Sequence, residues 1–461
     1  MPTPPAAGPT PGAPGSPAPS YALAEAALLS RWPETRLEPS LTRIRALCEL
    51  LGDPQKAAPV IHLTGTNGKT STARMVDSLV RALGLRTGRF TSPHVESMRE
   101  RICVDGEPLS EERFAALFAE VAPYADVVDR SGPHPVSFFE MVTAMAFAAF
   151  ADAPVDVVIL EVGMGGSWDA TNVADAAVAV VTPIAVDHAN YLGTSPEEIA
   201  AEKSGIIKHG SFGVFAQQPV EVAEVLLRRA VEVEATIARE GMEFGLADRM
   251  AGVGGQMVTL QGLGARYDEV FVPLHGAYQA HNAACAVAAV EALRGGEGLD
   301  ADAVKEALGQ VASPGRLEVV RRSPTVVVDA AHNPHGAAAA AEAVQEAFAF
   351  SPLVGVLGVM GDKDVEGLLE VLEPVMATVV CSQNSTPRSM PAEALGELAR
   401  GVFGPDRVVV RPRLDDAIDA AVGLAEEGGT FGEALGSGGV LVTGSVITAG
   451  EARTLLRADR P

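Results

Sequence analysis

The chain has 461 residues, of which 47% are hydrophobic and 20% charged. A chain of this length must bury at least one large core, and at about 150 residues per domain, with doubly wound units running larger, two domains are expected. With 35 Lys and Arg against 59 Asp and Glu, the formal net charge is −24, which excludes general attraction to nucleic acid or an anionic membrane and leaves any anion to a local site.

Residues 1–21 are built mainly from Pro, Ala, Gly, Ser and Thr and read as a disordered arm. From residue 40 the stripe Leu41, Ile44, Leu47, Cys48 and Leu51, closed by Gly52, predicts a helix. An apolar strand at 59–63 runs into GTNGKTS at 65–71, and Val76, Leu79, Val80 and Leu83, stopped by Gly84, predict the helix that follows. Further β-rich runs at 155–160, 177–181 and 213–215 alternate with helical stretches, which implies a parallel sheet covered on both faces. The glycine-rich segment 241–273 reads as an antiparallel patch appended to that sheet.

Helices at 277–293 and 301–311 lead to the breaker cluster Ser313, Pro314, Gly315 and Arg316, which reads as a hinge. Beyond it, strands near 325–328, 353–359, 378–381, 407–410 and 440–443 alternate with Ala-rich helices. The expected division is 22–312 for the first α/β domain and 313–461 for the second. Cys48, Cys103, Cys285 and Cys381 are widely spaced with no CxxC pair, which points to a reduced, cytoplasmic protein. No apolar run approaches the roughly 18 residues of a membrane span.

In the loop at 65–71 a strand ends and a helix begins, so backbone N–H groups and the helix dipole converge on one point suited to a phosphate chain. Lys69 would meet the β and γ oxygens, and the hydroxyl of Thr70 or Ser71 would reach a magnesium ion. Only two residues separate the glycines where a strict P-loop has four, so a plain tight turn is the alternative. The shortened form after an apolar strand resembles the ATP loop of the Mur ligase superfamily.

Other segments follow in order. TSPH at 91–94 with Glu100 and Arg101, EVGMGG at 161–166, DATN at 169–172, Asp187 with His188, and EKSGII at 202–207 resemble the folylpolyglutamate synthase and dihydrofolate synthase branch. HNA at 281–283, Gly315 with Arg316, DAAHNP at 329–334 and GDKD at 361–364 complete the series. The chain departs from the branch at Ser167 and Trp168, which bears on the pterin pocket. It also has Thr70 and Ser71 where many members have Gly-Ser or Gly-Thr, which leaves open the hydroxyl that meets the metal.

The resemblance implies an α/β protein with an N-terminal P-loop ATPase domain of Mur ligase type and a C-terminal Rossmann-like domain. Such a ligase phosphorylates a dihydropteroate or folate carboxylate with ATP, and L-glutamate displaces phosphate from the acyl phosphate. It also implies that Gly65, Thr66, Asn67, Gly68, Lys69, Thr70 and Ser71 hold the phosphates, that Asn282 faces adenine and that Asp329 holds ribose. Arg316 and His332 would reach the phosphates. Glu161, His188 and Ser92 would join Thr70 or Ser71 around magnesium, with two ions expected, and Lys203 would be carbamylated. A monomer is the family expectation.

The residues alone allow plainer readings. Glu161 ends an apolar run, where open sheets bind ligands, but a solvated strand-end acid would look the same. Lys203 is one of only six lysines, yet it could pair with Glu198 or Glu202 along its helix. Asn282 could bridge helices and Asp329 could cap one. Two rival functions make different demands on the sequence. A peptidoglycan-precursor ligase of the same superfamily would carry a further domain ahead of the ATP loop, where only about 45 residues stand between the arm and Gly65. A nucleotide switch would need neither the metal set nor the second domain.

Overall fold

The computed structural model describes residues 20–33, 39–427 and 438–458. The expected arm lies outside them, except that Ser20 caps and Tyr21 begins the helix Tyr21–Leu29.

Strand Val60–Thr64 is buried along its whole length. Its parallel neighbours are Val157–Glu161 and Ala176–Val181. Thr87–Phe90 lies beyond the first, and Phe212–Phe215 then Thr236–Arg239 beyond the second, all parallel. Antiparallel Ile102–Val104 and Glu107–Pro108 complete an eight-stranded sheet. Successive strand residues point to opposite faces. Ile61 and Leu63 therefore meet Met75, Val76, Leu79 and Val80 of helix Lys69–Ala82, together with helix Ala277–Leu293. Val60, Val158 and Leu160 meet helices Thr42–Leu50, Glu111–Ser131 and Phe138–Asp152 on the other face.

Segment 241–273 is antiparallel as expected but forms a separate three-stranded sheet, Arg266–Val272, Gly255–Gln261 and Gly245–Gly252. It joins helix Ala277–Leu293 through the Tyr267 hydroxyl, which donates to Glu291 at 2.6 Å.

The second sheet has six strands in the order Glu318–Arg322, Thr325–Val328, Gly439–Thr443, Leu353–Leu357, Thr378–Cys381 and Val408–Val410. All pairs are parallel except the first. Helices Pro334–Ala347, Val365–Leu372 and Ala392–Phe403 cover one face, and Leu414–Glu427 and Val446–Ala458 the other. The two halves meet where helix Val446–Ala458 crosses residues 95–96. Gly450 leaves no room there, since a Cβ would stand 2.0 Å from the Val95 carbonyl oxygen, and Arg453 pairs with Glu96 at 2.7 Å and Glu318 at 2.8 Å.

Strand Thr87–Phe90 escapes the sequence reading because it carries Gly88 and a charged residue. Gly88 is required where the ring of Phe150 approaches, with a Cβ only 2.5 Å from it. Arg89 is buried but donates to Asp77 at 3.0 Å, and Thr87 Oγ1 donates to the same carboxylate at 2.6 Å. A buried ion pair is weak evidence of net stability, but removing one partner strands the other. We expect Asp77→Ala to destabilise the chain by about 3–5 kcal/mol, read as a lower midpoint of urea unfolding. A loss under about 1 kcal/mol would mean that Arg89 finds water or another partner.

Candidate active site

The carboxyl ends of both sheets face a cavity of about 560 Å³ between the halves. The loop Gly65, Thr66, Asn67, Gly68 forms its floor. Its shape rests on two glycines. Gly65, at φ 142°, approaches Thr182 so closely that a Cβ would stand 1.9 Å from Oγ1, and Gly68, at φ 88°, would place one 2.6 Å from the Asn282 amide oxygen. Asn282 is thus held against the loop, with its Nδ2 donating to Gln279 at 3.1 Å.

Two ammonium groups converge on this loop. Lys69 Nζ donates to the Gly65 and Thr66 carbonyls at 3.0 and 3.1 Å, and Lys203 Nζ to the Gly65 carbonyl at 2.9 Å. Burial lowers the pKa of both, and for Lys203 burial and the nearby Lys69 charge bring it to about 7. Lys203 is buried at the end of helix Pro196–Lys203, which starts with the expected capping box of Ser195 and Glu198. Its amine faces the loop rather than those glutamates.

Glu161 ends its strand 1% exposed. It accepts from Thr70 Oγ1 at 2.7 Å and from the Ser92 backbone N–H at 3.1 Å. Burial pushes its pKa up against the lowering charge of Lys69. The Ser71 hydroxyl is turned away, 3.0 Å from the Ser313 hydroxyl at the hinge. Thr70 therefore stands beside the carboxylate, and Ser71 ties the loop helix to the linker.

His188 has left-handed backbone at φ 53°, and burial holds its imidazole at about 4, so it is neutral at ordinary pH. Beside it, Asp187 collects partners from the second half: Lys363 Nζ at 2.6 Å, Asn333 Nδ2 at 3.1 Å and His332 Nε2 at 3.5 Å. Burial alone would raise the Asp187 pKa, but the His332 hydrogen bond and the His188, Lys363 and His332 charges hold it far below the carboxylate range. His332 Nδ1 donates to the Ala330 carbonyl at 2.9 Å, which turns Nε2 towards the cleft. Asn333 caps helix Pro334–Ala347, and His335 lies 3.0 Å from the Asn67 side chain.

Asp329 is buried and accepts from the backbone N–H groups of Leu317 at 3.0 Å and Ala331 at 2.8 Å, so it shapes both the linker and the loop carrying His332. Arg316 lines the cavity with no hydrogen bond or ion pair to its guanidinium among the described residues. Ser92, Glu161, His188, Lys203, Asn282, Asp329 and His332 all line the same cavity as the glycine loop, but Ser167 and Trp168 do not. Ser167 Oγ instead donates to the Glu202 carbonyl at 2.9 Å, and Trp168 packs against the apolar cluster that includes Leu192 and Ile199.

Lys363 stands in the GDKD run, where the sequence pattern assigns it no role. The scarcity of lysines that singled out Lys203 applied to it equally. Asp169 is a further buried acid without an assigned role. It accepts from the Gly163 and Met164 N–H groups at 3.1 and 3.0 Å and fixes the loop after Glu161, with burial raising its pKa to about 6.

Comparison with known proteins follows the same division. The Mur ligase middle domain matches residues 115–290, and the Mur ligase glutamate ligase domain matches residues 315–446. The chain is 51% identical over 449 residues to the dihydrofolate synthase/folylpolyglutamate synthase of Mycobacterium tuberculosis, covering 93% of this chain and 92% of that one. Crystal structures of Mycobacterium tuberculosis folylpolyglutamate synthase complexed with ADP and AMPPCP superpose with a TM-score of 0.91 at 50% identity, covering 96% of this chain and 98% of that one. Escherichia coli FolC in complex with DHPP and ADP gives a TM-score of 0.83 at 30% identity, over 96% and 99% of the two chains.

The Asp187 to Lys363 pair joins the halves where both side chains are nearly buried, 10% and 11% exposed. We expect Lys363→Met to loosen the closed arrangement, because it removes the only ammonium that contacts Asp187 among the described residues. Small-angle scattering would show a larger radius of gyration and trypsin would cut faster near residue 316, with far-UV circular dichroism unchanged. Unaltered scattering would mean that the Arg453 contacts alone hold the halves.

Proposed function

The chain belongs to the folylpolyglutamate synthase and dihydrofolate synthase family of Mur ligases, and from that premise we propose that it is an ATP-dependent ligase joining L-glutamate to dihydropteroate or to folate (poly)glutamates. ATP phosphorylates the carboxylate, the amino group of glutamate attacks the acyl phosphate, and ADP and phosphate leave. The observation that carries the reading is the convergence of Lys69, Lys203, Glu161 and the Asp187, His332, Lys363 cluster on one cleft between the two sheets.

The loop geometry supports phosphate binding by the N–H groups at 65–71, with Lys69 exchanging its carbonyl contacts for β and γ oxygens. The placement of Asn282 against Gly68 supports a role at the base. Asp329 faces the cavity and suits the ribose, while Arg316 and His332 from the second half suit the phosphates. A guanidinium on the linker reaches nucleotide in one arrangement of the halves, which couples closure to chemistry.

The donor set fits magnesium. Glu161, Thr70 and Ser92 offer hard oxygens and His188 a neutral imidazole, and no three His, Cys, Asp or Glu side chains form a protein cage among the described residues. One or two carboxylates with phosphate oxygens is how magnesium is usually held. When bound, it neutralises charge developing on the transferred phosphoryl group. Of the two candidate hydroxyls we assign that of Thr70. Two ions are the family expectation, and the oxygens of Thr70, Ser92 and Glu161 would be available to hold them. Lys203 suits carbamylation because an amine with a pKa near 7 has a neutral, nucleophilic fraction for carbon dioxide at ordinary pH. It would then become an anion beside Lys69.

We read the boundary between the ATPase and ligase domains at 312/313, supported by the position of Ser313 between the sheets. Both walls of the site come from one chain, which supports a monomer. The four cysteines are buried and free, which supports a reducing, cytoplasmic setting. Among the described residues no helix is long and apolar enough to cross a membrane.

Release of ADP tests the reading. It should require a pteroate or folate carboxylate and L-glutamate together, and hydrolysis indifferent to both would favour a nucleotide switch. Thr70→Val should lower kcat by about 10²-fold or more, while Ser71→Ala should leave it within a few-fold. Equal losses would remove the distinction between the hydroxyls. Lys203→Arg, which keeps charge but cannot be carbamylated in the same way, should lower kcat by about 10²-fold, and full activity in the variant would exclude a carbamate.

A further inference from the structure

A second, smaller recess opens beside the main cavity and shares Thr70, Pro93, Arg316 and Val446 with it. Its other walls include Arg74, His94 and Glu100. Arg74 stands one helical turn, about 5.4 Å, beyond Thr70 on helix Lys69–Ala82, so both side chains lie on one face. Its Nε is buried without a hydrogen-bond partner, and among the described residues its guanidinium makes no ion pair. Arg316, across the recess, likewise has no hydrogen bond or ion pair to its guanidinium among the described residues.

A guanidinium N–H buried without a partner is expensive, because an unmade hydrogen bond to a charged group costs its desolvation. The carboxylates nearby do not fill the need. Glu100 accepts from the backbone N–H groups of Val95, Glu96 and Ser97 at 2.9, 3.0 and 2.7 Å, and Glu161 is occupied by Thr70 and Ser92. Burial and the charge of Arg89 lower the Arg74 pKa to about 10, so it stays cationic at neutral pH.

We propose that Arg74 forms a carboxylate subsite that holds the non-reacting α-carboxylate of a glutamyl residue beside the reacting centre, leaving Arg316 opposite to the phosphates. The inference rests on the ligase reading and deepens it. The recess has room for the head of a small anion and not for a nucleotide. A planar guanidinium takes a carboxylate through two parallel hydrogen bonds. One turn of helix separates Arg74 from Thr70, a span that the short side chain of a glutamyl residue covers. The same chemistry has two sources: the incoming L-glutamate, and the terminal glutamyl residue of a folate whose γ-carboxyl is being extended. Dihydropteroate has no such group.

Steady-state assays of the full chain and of Arg74→Gln and Arg74→Lys, read by ADP release at saturating ATP, separate them. With dihydropteroate as carboxyl substrate, a tenfold or greater rise in KM for L-glutamate in Arg74→Gln assigns the subsite to the incoming amino acid. A rise confined to KM for folylmonoglutamate assigns it to the tail. In either case Arg74→Lys should recover part of the loss. The effect should vanish when the relevant compound lacks the α-carboxylate, with 4-aminobutyrate replacing L-glutamate or pteroyl-4-aminobutyrate replacing folylmonoglutamate. Constants within twofold of wild type for every substrate would overturn the proposal. So would a rise that persists with the decarboxylated compounds, since that marks a structural role. Should Arg74→Gln not fold, Arg74→Lys, which keeps charge and loses the fork, carries the same comparisons. Failure of wild type to couple ADP release to any acceptor would defeat the ligase reading itself, before any variant is measured.

Discussion

Charges removed from water must find partners, and that constraint organises this molecule. The cleft between the two sheets buries Lys203, Glu161 and Asp329 and nearly buries Asp187 and Lys363. Lys203 is compensated by a loop carbonyl, Glu161 by Thr70 and Ser92, Asp329 by the N–H groups of Leu317 in the linker and Ala331 in the loop bearing His332, and Asp187 by three residues of the second half, Lys363 among them. No single domain satisfies the set. The closed arrangement is therefore a consequence of charge pairing as much as of apolar contact.

The fold delivers these groups by a simple rule. Parallel strands end on one side, so the side chains just past Val60–Thr64, Val157–Glu161 and Ala176–Val181 share an edge. The second sheet presents its own carboxyl ends to the same space through the loop after Thr325–Val328. Helix Lys69–Ala82 adds the positive end of its dipole, and the glycines at 65 and 68 let strand Ala176–Val181 and helix Ala277–Leu293 close on the loop. Substituting Gly68 would move Asn282, which itself lines the cavity, and substituting Gly65 would move the buried Thr182.

Much of this was legible in the sequence because glycine loops, strand-end acids and apolar alternation are local signals. The strand before GTNGKTS, the helix after it and the alternation beyond residue 316 were placed from such patterns. What escaped was held by long-range pairing. Thr87–Phe90 looks like a loop until Asp77 is set against Arg89. Glu318–Arg322 was missed as an edge strand, where alternation is weak, and Gly245–Gly252 with its neighbours formed a sheet of its own rather than joining the first. Lys363 was overlooked because its partner Asp187 is 176 residues away. The choice between Thr70 and Ser71 likewise needed the hinge serine at 313.

The linker gives the last connection. Ser313 touches the loop helix through Ser71, Gly315 donates to Glu318, Arg316 faces the cavity, and Leu317, at φ 45°, donates to Asp329. Within residues 313–317, Ser313, Gly315 and Leu317 therefore touch the helix of the glycine loop, the edge strand and the loop bearing His332. A displacement of either half must pass through them, and a positive φ at a branched residue such as Leu317 persists only where its surroundings hold it. The buried carboxylate of Asp329 supplies that hold. The acid proposed to hold the ribose thus also fixes the backbone on which Arg316 is mounted. Under the proposed assignment of Asp329 to the nucleotide, binding there and the placement of the linker guanidinium are linked through one side chain.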